Sequence, residues 1–258
     1  MKKNIAIITT LIIIFSGLMW SCKRDLELIA PVSLTGGYAY LKIADYSTSF
    51  RQVVNKSDSF NVYVGDTKVN SSFLTYGSIF PSVTNPYAAV PPGQQTIRIT
   101  VNGVLNPDSI TIASFTKTLV PGGYYSFFLT DSLLNSNDSK QIFVKDNFTE
   151  VDTSHYSIRF AHAIMNDSAG KNVDVYSSRQ QANIFSNISP GTVTPFVTQN
   201  YTLLIDTLIV RRAGGSLELA RLNGAVLNRK RAYTLVYKGV PNTTTGTKGR
   251  SLALFANN

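Results

Sequence analysis

The chain has 258 residues, 43% apolar and 15% charged, with a formal net charge of +9. This is too apolar and too weakly charged for a disordered chain, and at roughly 100–150 residues per domain it allows two globular domains. The single cysteine, Cys22, excludes an intramolecular disulfide framework and a zinc cluster, and His155 and His162, the two histidines, are too few for a polyhistidine metal site. His-Glu-x-x-His, Gly-x4-Gly-Lys and Gly-x-Ser-x-Gly are all absent. No metal or other cofactor is expected, and none of the common enzyme signatures is present.

The first residues read as an export signal. Lys2 and Lys3 give a positive start, Ile5 to Trp20 is an apolar stretch broken by Thr9, Thr10, Ser16 and Gly17, and small Ser21 precedes Cys22. The stretch is shorter than the roughly 20 residues of a spanning helix, and no second run of that length follows. No transmembrane helix is therefore expected in the mature chain.

Met19-Trp20-Ser21-Cys22 resembles a bacterial lipobox, in which signal peptidase cuts before a cysteine that carries lipid. The resemblance implies a signal peptide over 1–21, lipidation at Cys22 and anchoring in the outer membrane. Trp20 and Met19 depart from the commonest pattern, which has Leu three residues before the cysteine. Asp25 and Glu27 resemble the short acidic signals that display Bacteroidota lipoproteins at the cell surface, although Lys23 and Arg24 intervene. Residues 22–37 lack any sustained period and contain Pro31 and a Gly pair, so they read as a lipidated tether.

From Tyr38 the pattern is all-β. Short alternating runs cover Leu41–Ala44, Phe60–Val64, Ile97–Val101, Ile110–Phe115, Tyr124–Thr130 and Ile142–Lys145. Turn signals at Pro91-Pro92-Gly93, Asn102-Gly103, Pro121-Gly122-Gly123 and Asn223-Gly224 punctuate them. The aromatics within these runs read as sheet packing. Loss of Trp20 with the signal leaves no tryptophan for a glycan platform.

The second half repeats the first in order. Leu41–Asp45 matches Ile158–His162, Phe60–Val64 matches Val173–Ser177, Gly123–Leu129 matches Arg231–Tyr237, and Ile142–Asn147 matches Leu252–Asn257. This order of matches reads as a tandem duplication. The expected architecture is two tandem immunoglobulin-like antiparallel β-sandwich modules, 38–147 and 153–258.

Ile158-Arg159-Phe160-Ala161-His162-Ala163, followed by Val173-Asp174-Val175-Tyr176, resembles the opening of the family called domain of unknown function 4397. Both modules show the resemblance, the second more clearly, since module one has Lys42 for Arg159, Asp45 for His162 and Asn61 for Asp174. The resemblance implies a secreted or surface protein and brings no reaction with it.

His162 and Asp174 are the pair a base-catalysis reading would use. The competing reading, which we favour, makes His162 a strand end and Asp174 a local hydrogen-bonding residue at a strand corner. Positive charge is concentrated in module two, with twelve Lys/Arg against four Asp/Glu over 153–258 and eight against seven over 38–147. Arg211-Arg212 and Arg229-Lys230-Arg231 could meet an anionic glycan or membrane surface, but they equally suit sheet-edge protection. Nucleic acid is not an expected partner for an exported, tethered protein.

Four Asp-Ser/Thr-aliphatic tripeptides, centred on Ser109, Ser132, Ser168 and Thr207, resemble the Bacteroidota O-glycosylation sequon. Ser132 and Ser168, in polar surroundings, are the stronger candidates. The expected function is a non-catalytic, lipid-anchored envelope or surface protein with a binding or structural role, whose partner is an envelope protein or an anionic glycan. The alternative is a glycan-acting hydrolase with an unrecognised carboxylate site.

Overall fold

A computed structural model describes residues 37–48, 59–82, 87–101, 110–130, 140–148, 150–165 and 172–258. The described residues form strands and no α-helix. The strands of the N-terminal half are β1 (Ala39–Asp45), β2 (Ser59–Val64), β3 (Thr67–Lys68), β4 (Leu74–Thr75), β5 (Ile79–Phe80), β6 (Ala88–Val90), β7 (Gly93–Val101), β8 (Ile110–Leu119), β9 (Tyr124–Leu129) and β10 (Ile142–Lys145). Those of the C-terminal half are β11 (His155–His162), β12 (Val173–Ser177), β13 (Ala182–Ile188), β14 (Val197–Asn200), β15 (Asp206–Arg212), β16 (Glu218–Ala225), β17 (Ala232–Lys238) and β18 (Ser251–Ala256).

These strands make four sheets in two sandwich-like units. Sheet one has the order β3-β2-β7-β8 with β4 beside β2, and sheet two has β10-β9-β1-β5 with β6 beside β1. Sheets three and four have the orders β14-β11-β17-β18 and β13-β12-β15-β16. Leu41 and Ile43 of β1 pack with Phe60, Val62, Ile97 and Phe115 to join sheets one and two. Ile158 and Phe160 of β11 pack with Val173, Val175, Leu208 and Val210 to join sheets three and four.

A third apolar layer joins sheets two and three. Ala44, Phe128 and Ile142 from one side meet Ala161, Val236 and Phe255 from the other. The two inner sheets are thus covered on both faces, and β1, β9, β11 and β17 are buried almost without alternation. Strands covered on both faces are expected to read as near-continuous apolar runs. Gly36–Asn258 is one compact unit.

Three expectations need correction. The sheets are not wholly antiparallel, because β1 pairs parallel to β9, with Lys42 opposite Ser126, and β11 pairs parallel to β17, with Arg159 opposite Thr234. Alternation reports which face a side chain takes, and it carries no information about strand direction. Asn223-Gly224 is not a turn but a bulge inside β16, where the register slips opposite Thr207 and Gly224 takes φ 70°. A left-handed glycine serves a bulge as readily as a turn.

The third correction concerns the last matched pair. Val144 lies opposite Ser126 and Phe255 opposite Thr234, so the register equivalent of Asp146 is Asn257, one residue from the sequence match. A slip of one residue exchanges the two faces of a strand. Pro121-Gly122-Gly123, by contrast, does form the turn between β8 and β9, with Gly122 at φ 71° and its N–H donating to the Tyr38 carbonyl.

Candidate functional site

Between sheets two and three the alternate positions of β1 and β11 carry Lys42 and Arg159, both almost wholly buried. Burial of a guanidinium is unfavourable unless its donors are engaged. Arg159 Nη1 lies 2.6 Å from Asp146 Oδ1, its Nη2 donates to Ser126 Oγ at 3.0 Å, and its Nε donates to Thr234 Oγ1 at 2.9 Å. The Thr234 hydroxyl donates onward to Asn257 Oδ1 at 2.7 Å, and Asn257 Nδ2 donates to the Tyr87 hydroxyl at 2.8 Å. Tyr87 and Ser126 both donate to Asp146 Oδ2, at 2.5 and 2.6 Å.

The circuit is closed, and it crosses the junction. Ser126, Tyr87 and Asp146 come from the N-terminal half, and Arg159, Thr234 and Asn257 come from the C-terminal half. Lys42 Nζ donates to the Ala256 carbonyl at 3.3 Å and sits 4.5 Å from the Tyr87 ring centre and 4.3 Å from that of Phe255. Burial pulls its pKa down to about 7, an effect the Asp146 charge opposes and the Arg159 charge reinforces. Burial and the Asp146 carboxylate together raise the pKa of the Tyr87 hydroxyl.

Beside this circuit opens a groove of about 440 Å³ lined by Tyr40, Pro81, Tyr87, Tyr124, Phe148, Asn257 and Asn258. Tyr40 and Tyr124 stack at 4.6 Å between ring centres, and Tyr87 and Phe148 meet Tyr124 edge-on at 5.0 and 5.3 Å. The rings are half-buried and the amide of Asn258 is exposed at the rim. An apolar aromatic floor bordered by amides can take the C–H face of a ring and hydrogen-bond its edge.

The sequence assigned the aromatics to sheet packing and did not identify this groove. Tyr40 and Tyr124 are register partners on the parallel β1–β9 pair, and that pairing cannot be read from alternation. Arg159 stands within the motif that resembles a known family, whereas nothing in the sequence marks its partner Asp146. The face it occupies reads as solvent-facing in an isolated sandwich.

His162 and Asp174 are not brought together. His162 ends β11 fully buried, with its ring against Phe160 and Tyr237 on the inner side of the C-terminal sandwich. Asp174 alternates with core residues Val173 and Val175, so it lies on the opposite face of sheet four. There it accepts from the backbone N–H of Asn187 at 2.7 Å and of Gly214 at 3.0 Å, and from Asn183 Nδ2 at 3.2 Å. A whole sheet separates the two side chains.

A second cavity, of about 490 Å³, is lined by Tyr156, Arg179, Gln180, Gln199, Asn200 and Asp206 among others. Asp206 accepts from Ser177 Oγ and from the backbone N–H of Arg179 and Thr207. Burial is the main cause that raises the Tyr156 pKa to about 12, with the Asp206 charge adding to it. A glycoside hydrolase needs two carboxylates flanking one cleft. The cavities lined by Tyr156, by Asn70 and by Tyr40 hold a single carboxylate between them, Asp206.

Cys22, Ser109, Ser132 and Ser168 lie outside the described residues. Thr207 is half-buried in β15 between buried Asp206 and Leu208. Arg211 of β15 stacks on Tyr176 at 3.7 Å, while Arg229, Lys230 and Arg231 form an exposed turn before β17. Among the described residues no group of three or more His, Cys, Asp and Glu could hold a metal ion, and no helix is long and apolar enough to cross a membrane.

Two all-β sandwich-like units joined by a buried polar circuit define the architecture. Residues 48–169, just under half of the chain, match the family model described as domain of unknown function (DUF4397). The match takes the N-terminal sandwich after β1 and runs through β11 to end before β12, whereas the motifs that suggested the family extend to Tyr176. The chain is also similar to a crystal structure from Bacteroides thetaiotaomicron VPI-5482 described as "putative polysaccharide binding proteins (DUF1812)". That similarity covers 85% of this chain and 96% of the other, at 11% identity and a TM-score of 0.23, a level that indicates no ligand. No curated protein matches the chain.

Proposed function

We propose that this chain is a non-catalytic, lipid-anchored protein of the cell envelope that binds a saccharide in the Tyr40–Tyr124 groove. The observation that carries the binding reading is the stacked, half-exposed tyrosine pair on the floor of an open groove, with exposed Asn258 at its rim. The parts of these rings left exposed give an apolar surface that suits the C–H face of a pyranose, and the Asn258 amide suits its hydroxyls. The anchor reading rests on the apolar leader and Ser21-Cys22. A tandem duplication is supported by the corresponding strand orders of the two sandwiches and by the register equivalence of Lys42 with Arg159 and of Ser126 with Thr234.

The test is an array of neutral and uronate-containing oligosaccharides probed with the purified protein and with Tyr124→Ala. We expect a subset to bind and the variant to lose about tenfold in affinity, the order of one aromatic contact. Absence of any saccharide ligand, or equal binding by the variant, overturns the reading.

A further inference from the structure

The N-terminal ends of the parallel pairs β1–β9 and β11–β17 lie together, because Asn257 reaches Tyr87, Tyr87 packs on Tyr124, and the groove combines Tyr40 with Asn258. At this end Tyr201 N–H donates to the Ser154 carbonyl, Lys230 N–H donates to the His155 carbonyl, and the Arg229 guanidinium lies 5.9 Å from the Tyr201 ring centre. The connection from β14 to β15 therefore sits beside the Arg229-Lys230-Arg231 turn. Its residues Leu203, Leu204 and Ile205 are 90%, 72% and 65% exposed.

Of the nine exposed large apolar side chains among the described residues, Val226 joins these three beside Asp206, while Tyr38 and Val120 lie at the same end of the N-terminal sandwich. Phe73, Ile110 and Leu217 lie elsewhere. Scattered surface hydrophobics are ordinary, but a cluster on one end rimmed by cations marks an interaction surface. Arg179, Arg229, Lys230 and Arg231 surround the tip. The acidic groups at this end include Asp152, paired with His155, Asp206, engaged by Ser177, and exposed Glu150. Arg231 donates to the Asn258 carbonyl, so Arg229 and Lys230 are the cations left to face a partner.

We propose that this end docks on an anionic phospholipid surface, with Leu203, Leu204 and Ile205 entering the headgroup layer and the Arg229–Arg231 turn facing the phosphates. Apolar residues at a tip with basic residues around them are the chemistry of interfacial membrane binding. Chain geometry supports the same occupant. Strand β1 starts at this end, and the fifteen residues that follow Cys22 span at most about 50 Å. This second argument rests on the lipid-anchor reading, whereas the charge and apolar pattern does not, and the proposal goes beyond saccharide binding.

The test uses the chain from residue 22 with Cys22→Ser, so that no anchor contributes. Cosedimentation is measured with vesicles of phosphatidylcholine alone and of equal parts phosphatidylcholine and phosphatidylglycerol. We expect binding to the anionic vesicles, at least about tenfold weaker for Leu203→Glu/Leu204→Glu. Each of Arg229→Gln and Lys230→Gln should lose about fivefold at low salt. Leu217→Glu, which also adds an exposed charge but at the opposite end, should bind as the parent does, and matched melting temperatures exclude misfolding as the cause. No binding to anionic vesicles, or an unaffected tip variant, overturns the proposal and leaves a protein partner as the occupant of the tip. Failure of lipidation at Cys22 would show separately, as loss of fatty-acid labelling in cells.

Discussion

Lys42 and Arg159 occupy equivalent register positions, each opposite a hydroxyl residue on a parallel neighbour, yet only Arg159 takes the carboxylate. The position equivalent to Asp146 in the other half is Asn257, which is neutral, so the circuit around Asp146 has one anion for the two buried cations Arg159 and Lys42. Arg159 holds it with a planar fork, and Lys42 is left to a carbonyl and two ring faces. The asymmetry predicts different outcomes for the two substitutions.

Removing Arg159 leaves Asp146 buried with its remaining donors, Tyr87 and Ser126. Truncating one partner of a buried, hydrogen-bonded ion pair costs about 3–5 kcal/mol. Arg159→Ala should therefore lower stability by that order in urea unfolding, and Arg159→Lys should recover only part of it because an ammonium cannot serve three partners in one plane. A loss under about 1 kcal/mol for Arg159→Ala would mean that the circuit contributes little.

Lys42 should make stability depend on pH in the alkaline range. Its pKa is 10.5 when unfolded and about 7 when folded, so between those values the unfolded chain binds the additional proton and stability rises with pH. Above about pH 10 the buried hydroxyls of Tyr46 and Tyr87, whose pKa values burial raises, reverse the slope. Lys42→Met should flatten the rise from pH 7 to 9 and raise stability at pH 7. Urea midpoints at three pH values decide it, and identical slopes in parent and variant would count against the assignment.

Particular residues show how far the sequence could be read. Alternation in Leu41–Ala44 and Ile158–His162 located β1 and β11 and their core-facing residues, because one face of each packs within its own sandwich. The same alternation implied that Lys42 and Arg159 face water. They do not, because a second sheet covers that face, and the signal was the crowding of apolar residues such as Ala44, Phe128, Ala161 and Val236 at positions expected to be polar. Asp146 lies far in sequence from Arg159's own strand partners, and a pairing carried by folding alone leaves no local pattern. The groove was missed for the same reason, since Tyr40 and Tyr124 meet only through a long-range parallel pair.

Cutting the chain between Asn147 and Ser154 separates two cores but exposes the third. Fragments 38–147 and 153–258 should keep β circular dichroism, since each retains its own apolar core. Each should melt lower than the intact chain and self-associate, because Phe128 and Ile142 on one side and Val236 and Phe255 on the other become solvent-facing. Mixing the fragments should restore a one-to-one complex, weakened by Arg159→Ala. Analytical ultracentrifugation of each fragment and of the mixture tests this; two inert monomers that ignore each other would show that the junction is not an energetic interface.

The proposed lipidation at Cys22 would set where this chemistry operates. Ser21-Cys22 closes an apolar leader too short to span a bilayer, and the only thiol in the chain stands at the point where lipid would be attached. Anchoring by acyl chains is stable once two membrane signals act together. Cys22→Ala should therefore abolish labelling by a clickable fatty acid, leave a slower-migrating precursor, and remove the protein from the outer-membrane fraction. Protease shaving of intact cells tests the outward display suggested by Asp25 and Glu27, with digestion expected. Undiminished labelling of Cys22→Ala would overturn the anchor, whereas protection from protease with labelling intact would leave the anchor and place the protein on the inner leaflet.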